Sequence, residues 1–165
     1  VSKDVIAVAD IGSRSTTFSV LEDLKVVYSR DEAFGGVQLT EEIQRRYGMS
    51  FEEAAIAKKA GSLPEDYGPE VLEPFKENLV SEISRALQFF YSSSQTTDID
   101  ILVIAGGCAS ISNLAGLIES KLEIKTIIAN PFSEMTISPK VNKKTLANDA
   151  PSLMIACGLA MRGGA

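Results

Sequence analysis

Hydrophobic and polar positions alternate along the first thirty residues in three short runs. The runs cover 5–9, 16–21 and 24–28, and turn-prone residues separate them. A two-residue period with β-branched side chains is typical of strands, and short turns join antiparallel neighbours. The sequence therefore predicts a three-stranded antiparallel meander.

After residue 39 the hydrophobic period changes to three or four residues. Thr40 is followed by a helical pattern that Gly48 ends, and Ser50 is followed by a second pattern that Gly61 ends. Small hydroxyl side chains favour N-cap positions, and glycine favours the position after a helix. We therefore expect a two-helix insertion with Thr40 and Ser50 as its caps.

The remainder alternates helical and strand-like segments. Apolar residues recur at helical spacing from 72 to 90, and a continuous apolar run at 99–105 is typical of a strand buried on both faces. A helix capped by Ser110 or Ser112 then reaches Leu122.

The last part of the chain predicts a strand at 125–129 and a closing amphipathic helix at 150–161. The polar stretch 142–149 reads as a loop with a possible helical turn. The predicted fold is α/β, a mixed five-stranded sheet of order β-β-β-α-β-α-β-α with a mainly helical inserted subdomain.

Composition narrows the possible functions. The chain has 165 residues, a formal net charge of −6 and no histidine. One domain fits this length, the negative charge disfavours nucleic acid and unaided membrane binding, and catalytic systems that need histidine are excluded. Cys108 and Cys157 are expected to be small buried hydrophobes. Without a long apolar run or a leader, the chain is expected to be a cytoplasmic fragment of a longer protein.

The first predicted hairpin carries an Asp-x-Gly-x-x-x-Thr pattern. Asp10 ends a strand, Gly12 opens the turn, and small hydroxyl residues with one arginine complete it: Ser13, Arg14, Ser15 and Thr16. Such a turn can present backbone amides to an anion, and a carboxylate beside phosphates can hold the water of a Mg²⁺ ion. An ordinary surface turn uses the same residues, so both interpretations stay open.

A second turn follows the buried strand at 99–105. Gly106 and Gly107 lie between this strand and the next helix. Glycines at the carboxyl end of a strand allow a ligand to approach the backbone, although close helix packing also requires them. Both turns follow strands of one predicted sheet, so we expect them to face the same crevice.

Two basic positions are further candidates. Lys58, beside Lys59 on the second inserted helix, could contact an adenine ring, and Arg14 could pair with a phosphate. Solvated surface positions are the alternative for each.

The element order and both turns resemble the second lobe of the actin, Hsp70 and sugar kinase superfamily, whose folds are ribonuclease H-like. Within it, the chain resembles the PilM family through the segments AFGGVQLTEEIQRRYGMSFEEA, LPEDYGPEVLEPF, SRALQFFY, ANPF and DAPSLMIACGLAMR. The FtsA family is the nearest competitor, because it shares a Gly-Gly-x-x-x-Thr pattern, here Gly35, Gly36 and Thr40.

The resemblance implies a nucleotide site for ATP and Mg²⁺. Asp10 would hold Mg²⁺ through water, and residues 12–16 would bind the phosphates. Gly106 and Gly107 would contact the adenosine. Gly36 and Glu41 would lie near the ribose, and Lys58 would lie near the base. Arg14 stands where many relatives carry a second glycine, and Ala55 stands where some carry a carboxylate.

The resemblance also implies an organisation and a role. Residues 1–34 and 69–165 would form a core subdomain and 35–68 an inserted one. The parent would be a cytoplasmic scaffold of the type IV pilus platform, peripheral to the bacterial inner membrane. Its partners would be the first lobe absent from this chain, the PilN N-terminal peptide mainly through that lobe, and other platform proteins.

We expect no ATP turnover by this chain and at most a slow ATPase in the parent. The alternatives are a structural lobe with a vestigial cleft, an FtsA-like division protein and, ranked lowest, a sugar kinase type enzyme.

Overall fold

The computed structural model describes residues 4–94 and 98–163. Five strands form one sheet: β1 (Val5–Ile11), β2 (Thr16–Glu22), β3 (Lys25–Glu32), β4 (Ile101–Ala105) and β5 (Thr126–Ile128). Six α-helices accompany them: α1 (Gly36–Tyr47), α2 (Phe51–Ala60), α3 (Glu73–Ser93), α4 (Leu114–Leu122), α5 (Lys143–Asp149) and α6 (Met154–Arg162). A π-helical turn (Gly68–Leu72) leads directly into α3.

The strand order across the sheet is β3-β2-β1-β4-β5. The first three strands pair antiparallel, and β4 pairs parallel to both β1 and β5. The predicted meander and the mixed five-stranded α/β sheet are therefore confirmed.

One face of the sheet forms the main core. In β1, residues 5, 7, 9 and 11 are buried, whereas those between them are partly exposed. Helices α3 and α4 cover the buried face with fully buried side chains such as Leu79, Phe90 and Ile118. This two-residue alternation follows from the pleat, which sends successive side chains to opposite faces.

A second, smaller core joins the inserted helices to the start of α3. It contains Leu39, Ile43, Ala54, Val71 and Phe75. The last two lie beyond residue 68, so the apolar contacts continue past the predicted end of the insert. The division at 35–68 stays a prediction.

The predicted cap of α1 is wrong. The helix begins at Gly36 with Gly35 at the N-cap, and Thr40 lies in its second turn with 2% of its surface exposed. The Thr40 hydroxyl donates to the Gly36 carbonyl (3.2 Å). A polar cap is unnecessary because the first amides of α1 donate to backbone carbonyls of the β1–β2 turn. For α2, the predicted Ser50 cap is confirmed.

Other local predictions after β4 need correction. A 3₁₀ turn (Gly107–Ser110) follows the strand, and α4 begins at Leu114 after Asn113, so neither Ser110 nor Ser112 caps it. The Ser110 hydroxyl instead donates to the Asn148 carbonyl (3.1 Å).

The polar stretch at 142–149 is mostly helical rather than a loop. Asn142 caps α5 by accepting from the amides of Lys144 and Thr145. No residue of α5 is buried, so its sequence has no helical period of apolar residues from which the helix could be predicted.

The closing helix differs from its prediction as well. A 3₁₀ turn (Ala150–Leu153) precedes α6, in which no residue is buried and Ile155 and Leu159 are exposed by 62% and 59%. Cys108 and Cys157 are partly exposed rather than buried. Within the described ranges, no helix combines the length and apolarity that crossing a membrane requires.

Neighbouring phenylalanines on α3 test the position of the core. Phe90 is 1% exposed in the main core, whereas Phe89 is 44% exposed beneath the Arg30 guanidinium. Phe90→Ala is expected to lower the free energy of unfolding by about 3–5 kcal/mol because it leaves a cavity. Phe89→Ala should cost less than about 1 kcal/mol. Urea unfolding of both variants measures the difference, and equal losses would contradict the assigned core face.

Candidate functional site

Two turns meet at one edge of the sheet, where the parallel strands β1 and β4 end. Asp10 lies opposite Ala105 in the register. Gly106 has φ +85°, and a Cβ there would lie 2.3 Å from the Ile11 carbonyl oxygen and 2.6 Å from Asp10 Oδ1. Only glycine fits this contact, because L side chains rarely adopt this backbone conformation and have no space here. The two predicted glycine-bearing turns are therefore direct neighbours.

Hydrogen bonds from the start of α1 fix the β1–β2 turn. The Gly36 and Val37 amides donate to the carbonyls of Gly12 (3.0 Å) and Ser13 (2.7 Å). A Cβ on Gly35 would lie 2.6 Å from the Gly12 oxygen, so only glycine allows this approach. These bonds point two carbonyl dipoles of the turn into the helix N-terminus, where helix amides need partners.

The exposed side of the same turn carries Ser13, Arg14 and Ser15. Thr16 is different, because it is 3% exposed and its hydroxyl donates to the Phe34 carbonyl (2.7 Å). Ser13, Arg14 and Ser15 of this turn are therefore exposed to solvent, whereas Thr16 joins β2 to the start of the insert.

Asp10 is the carboxylate at this edge. It is partly buried, and burial raises its pKa above the ordinary value because desolvation disfavours the charged form. A cation bound nearby would stabilise the ionised carboxylate and so offset the free-energy cost of its desolvation.

A cavity of about 540 Å³ lies beside the two turns, and we call it the Lys58 cavity. Its volume is within the range of small-molecule sites. The insert and the segments after β4 supply its walls: Leu39, Lys58, Lys59, Tyr67, Leu72, Gly107, Cys108, Ser110, Ile111, Ser112 and Asn148.

The Lys58 ammonium is held at the wall of this cavity. It donates to the Thr40 hydroxyl (2.6 Å) and, over a longer distance, to the Gly36 carbonyl (3.4 Å). Burial lowers the pKa of Lys58, because desolvation disfavours the charged amine. Cys108 Sγ lies 3.7 Å from the Gly12 oxygen, so the cavity wall contacts the β1–β2 turn.

The predicted site residues occupy different parts of this region. Lys58 and Gly107 line the cavity, whereas Gly36 and Gly106 are buried at the backbone contacts between the turns. Glu41 is exposed further along α1. The ligand roles of all of them stay predictions.

Sequence reasoning missed several cavity residues. Tyr67, Cys108 and Asn148 line the wall, and Thr40 supports Lys58 from inside α1. The Gly-Gly-x-x-x-Thr pattern was a signal for Thr40, since it places a hydroxyl one helical turn after the glycine pair. For Tyr67 and Asn148 the chain carries no local signal.

Comparison with known proteins identifies the family of this chain. The family model described as type IV pilus assembly protein PilM matches residues 1–164. The chain belongs to the PilM family. It has an actin-like fold, and its family is one of type IV pilus assembly.

Solved structures agree with this assignment. In the PilM-PilN type IV pilus biogenesis complex, a chain matches with a TM-score of 0.81 and 27% identity over 97% of this chain and 46% of that one. The ethanolamine utilization protein EutJ from Carboxydothermus hydrogenoformans matches with a TM-score of 0.64 and 20% identity, over 98% and 50%.

MreB5 of Spiroplasma citri bound to ADP shares the fold at a TM-score of 0.66 and 14% identity, over 96% and 53%. The chain thus spans about half the length of the structures that it matches. The actin-like fold class, predicted from the two turns and the element order, is confirmed.

The backbone contact at Gly106 gives a testable consequence. Gly106→Ala is expected to lower the free energy of unfolding by roughly 2–4 kcal/mol, through strain at positive φ and a clash with Ile11. Gly107 is the matched control, because a Cβ there meets no atom within 4 Å. Denaturant unfolding measures both variants, and a tolerated Gly106→Ala would contradict the close contact between the turns.

The buried charge of Asp10 predicts a gain in stability when it is removed. Because its pKa is raised on folding, ionising Asp10 costs stability, in full above the raised pKa and not at all below the ordinary value of 3.8. Asp10→Asn should therefore stabilise the ligand-free protein near about pH 7, and this gain should vanish as the pH falls below about 4. Asp4→Asn, at the exposed other end of β1, is the control in a pH series of unfolding curves. A gain of equal size at Asp4 would exclude burial as the cause.

Proposed function

We propose that this chain is the ATP-binding half of a scaffold protein of the type IV pilus assembly platform. One observation carries the proposal: the Asp10 carboxylate, the exposed β1–β2 turn and the Lys58 cavity adjoin each other at one edge of the sheet. A triphosphate nucleotide needs these three features together, because its charge, its metal ion and its apolar ring must be bound at once.

The phosphate end of the nucleotide would lie against the β1–β2 turn. The Gly12 and Ser13 carbonyls are bound to α1, and the Ser15 carbonyl accepts from the Gly12 amide (2.9 Å), so three carbonyls of the turn are already hydrogen-bonded. Ser13 and Ser15, with their small hydroxyl groups, are exposed. Amides and hydroxyls donate to phosphate oxygens, whereas free carbonyls would repel them. Arg14, exposed in the same turn, adds a positive charge that can pair with phosphate.

A magnesium ion fits this arrangement. Within the parts of the chain that the structure describes, no three Cys, His, Asp or Glu side chains cluster to hold an ion by themselves. Mg²⁺ needs only one or two carboxylates when phosphates and water complete its shell. Asp10 would hold the ion through water, and the ion would neutralise charge on the phosphates.

The nucleoside would occupy the Lys58 cavity. Leu39, Tyr67 and Ile111 provide apolar walls for a purine, and Gly107 lets the ring approach the backbone. Lys58 offers a donor to the base, and Gly36 and Glu41 lie on the ribose side in this proposal.

We expect this half alone to hold nucleotide weakly and to hydrolyse none. Phosphoryl transfer depends on positioning and charge stabilisation from both sides of the phosphates. The second side would come from a first lobe, and the exposed apolar residues of α6 offer that lobe a surface. ATP binding would then close the two halves and fix the surface that other platform proteins contact.

The PilN N-terminal peptide is the proposed partner, and most of its binding would belong to the first lobe. The similarity of this chain to a chain of the PilM-PilN complex supports this partner. Recruitment through partners would place the protein at the cytoplasmic side of the bacterial inner membrane.

Nucleotide binding by the full-length protein that carries this chain tests the proposal. MgATP at about one hundred times its Kd should stabilise the protein by about 2.7 kcal/mol. Asp10→Asn should weaken MgATP binding about tenfold or more, because a contact to a charged group is lost. Scanning calorimetry with ATP measures the stabilisation, and titration calorimetry measures the affinity, each in the presence and absence of Mg²⁺.

Asp4→Asn serves as the matched control and should bind MgATP like the wild type. If the wild-type protein binds no nucleotide, the cleft is vestigial and the chain is a structural lobe. If both asparagine variants bind MgATP as the wild type does, the role proposed for Asp10 is wrong.

A further inference from the structure

Thr40 is a buried polar residue to which the proposed ligand contacts assign no role. It lies inside α1 with 2% of its surface exposed, in a cluster where the neighbouring core positions, Leu39 and Ile43, are apolar. A buried hydroxyl in such a place is costly unless it is hydrogen-bonded. Its partners therefore indicate what it is for.

The Thr40 hydroxyl has a partner on each side. It accepts from the Lys58 ammonium (2.6 Å) and donates to the Gly36 carbonyl (3.2 Å). The amide of the same Gly36 donates to the Gly12 carbonyl (3.0 Å) in the β1–β2 turn. A chain of hydrogen bonds thus runs from the wall of the Lys58 cavity to the turn beside Asp10.

Lys58 needs this support. Its side chain is flexible and carries about 2 kcal/mol of rotamer entropy when it is free. The hydroxyl fixes the ammonium before any ligand arrives, so less entropy is lost on binding. The contact also favours the charged amine, against the burial that lowers its pKa.

We propose that Thr40 is a positioning residue that sets Lys58 in the Lys58 cavity and joins that cavity to the β1–β2 turn. The inference rests on the proposed nucleotide site and adds to it a residue that touches no ligand. It also gives a physical reason for the Gly-Gly-x-x-x-Thr pattern: Gly35 and Gly36 form the backbone contact, and Thr40 connects it to the lysine.

A double-mutant cycle in the full-length protein tests this role. Thr40→Val removes the hydroxyl at nearly constant volume and should weaken MgATP binding about three- to tenfold. Thr40→Ser keeps the hydroxyl and should stay within about twofold of the wild type. In a Lys58→Met background, Thr40→Val should change the affinity less than about twofold, because the group that it positions is gone.

Thr126→Val is the matched control. Thr126 is also buried, with 8% of its surface exposed, and its hydroxyl donates to the Ile124 carbonyl (2.9 Å). It pairs with Leu102 near the amino end of β4, away from the site, so loss of its hydroxyl should leave MgATP affinity unchanged. Equal losses from Thr40→Val in the wild-type and Lys58→Met backgrounds would overturn the proposal, since a general packing effect does not depend on Lys58.

A measurement without nucleotide separates this proposal from the proposed function. In protein with ¹³C-labelled lysine, the Lys58 Cε resonance follows the pKa of that amine. Thr40→Val should lower this pKa further, because the ammonium loses an acceptor, and Thr40→Ser should restore it. An unchanged pKa in Thr40→Val overturns the positioning role. A wild-type protein that binds no MgATP but shows this pKa change contradicts only the nucleotide site.

Discussion

The parallel pairing of β1 with β4 is the contact on which the candidate site depends. Its two strands lie far apart in the sequence, and each end of the pairing is fixed by a specific contact. At the amino end, the Val5 amide donates to the Asp100 carboxylate (2.8 Å). At the carboxyl end, Gly106 lies against Ile11 and Asp10 without space for a side chain. A shift by one residue would turn every core side chain of β1 to the opposite face and separate the two turns.

The fold was largely predictable because its signals are local and periodic. The alternation in β1 and β2 and the helical spacing in α3 follow directly from burial on one face. Errors arose where a contact distant in sequence replaces a local one. Thr40 resembles a cap by type, but the β1–β2 turn supplies the partners that α1 needs. Helix α5 buries no residue, so its sequence carries no period that would distinguish it from a loop.

The candidate site was predictable as two turns but not as a cavity. Asp10 and Gly106 end neighbouring parallel strands, and sheet geometry requires such ends to adjoin. The cavity walls come instead from the insert, from residues 107–112 after β4, from the π-helical turn and from the last turn of α5. Tyr67 and Asn148 meet there only because the insert folds back over the segment after β4. The spacing of residues along the sequence therefore does not predict that these two side chains line one cavity. Lys58 was a candidate from the sequence and stays a prediction as a ligand, whereas its bond to Thr40 depends on how α1 and α2 pack.

The contact of Gly35 with the β1–β2 turn has a consequence for how this protein can vary. Because backbone rests on backbone there, the angle between the insert and the sheet does not depend on the size of any side chain at that contact. The outer surface of the insert, including the exposed Phe51 and Ile56, is free to change without tilting the insert. Mutations can therefore change the shape and polarity of this surface while the geometry of the crevice stays constant.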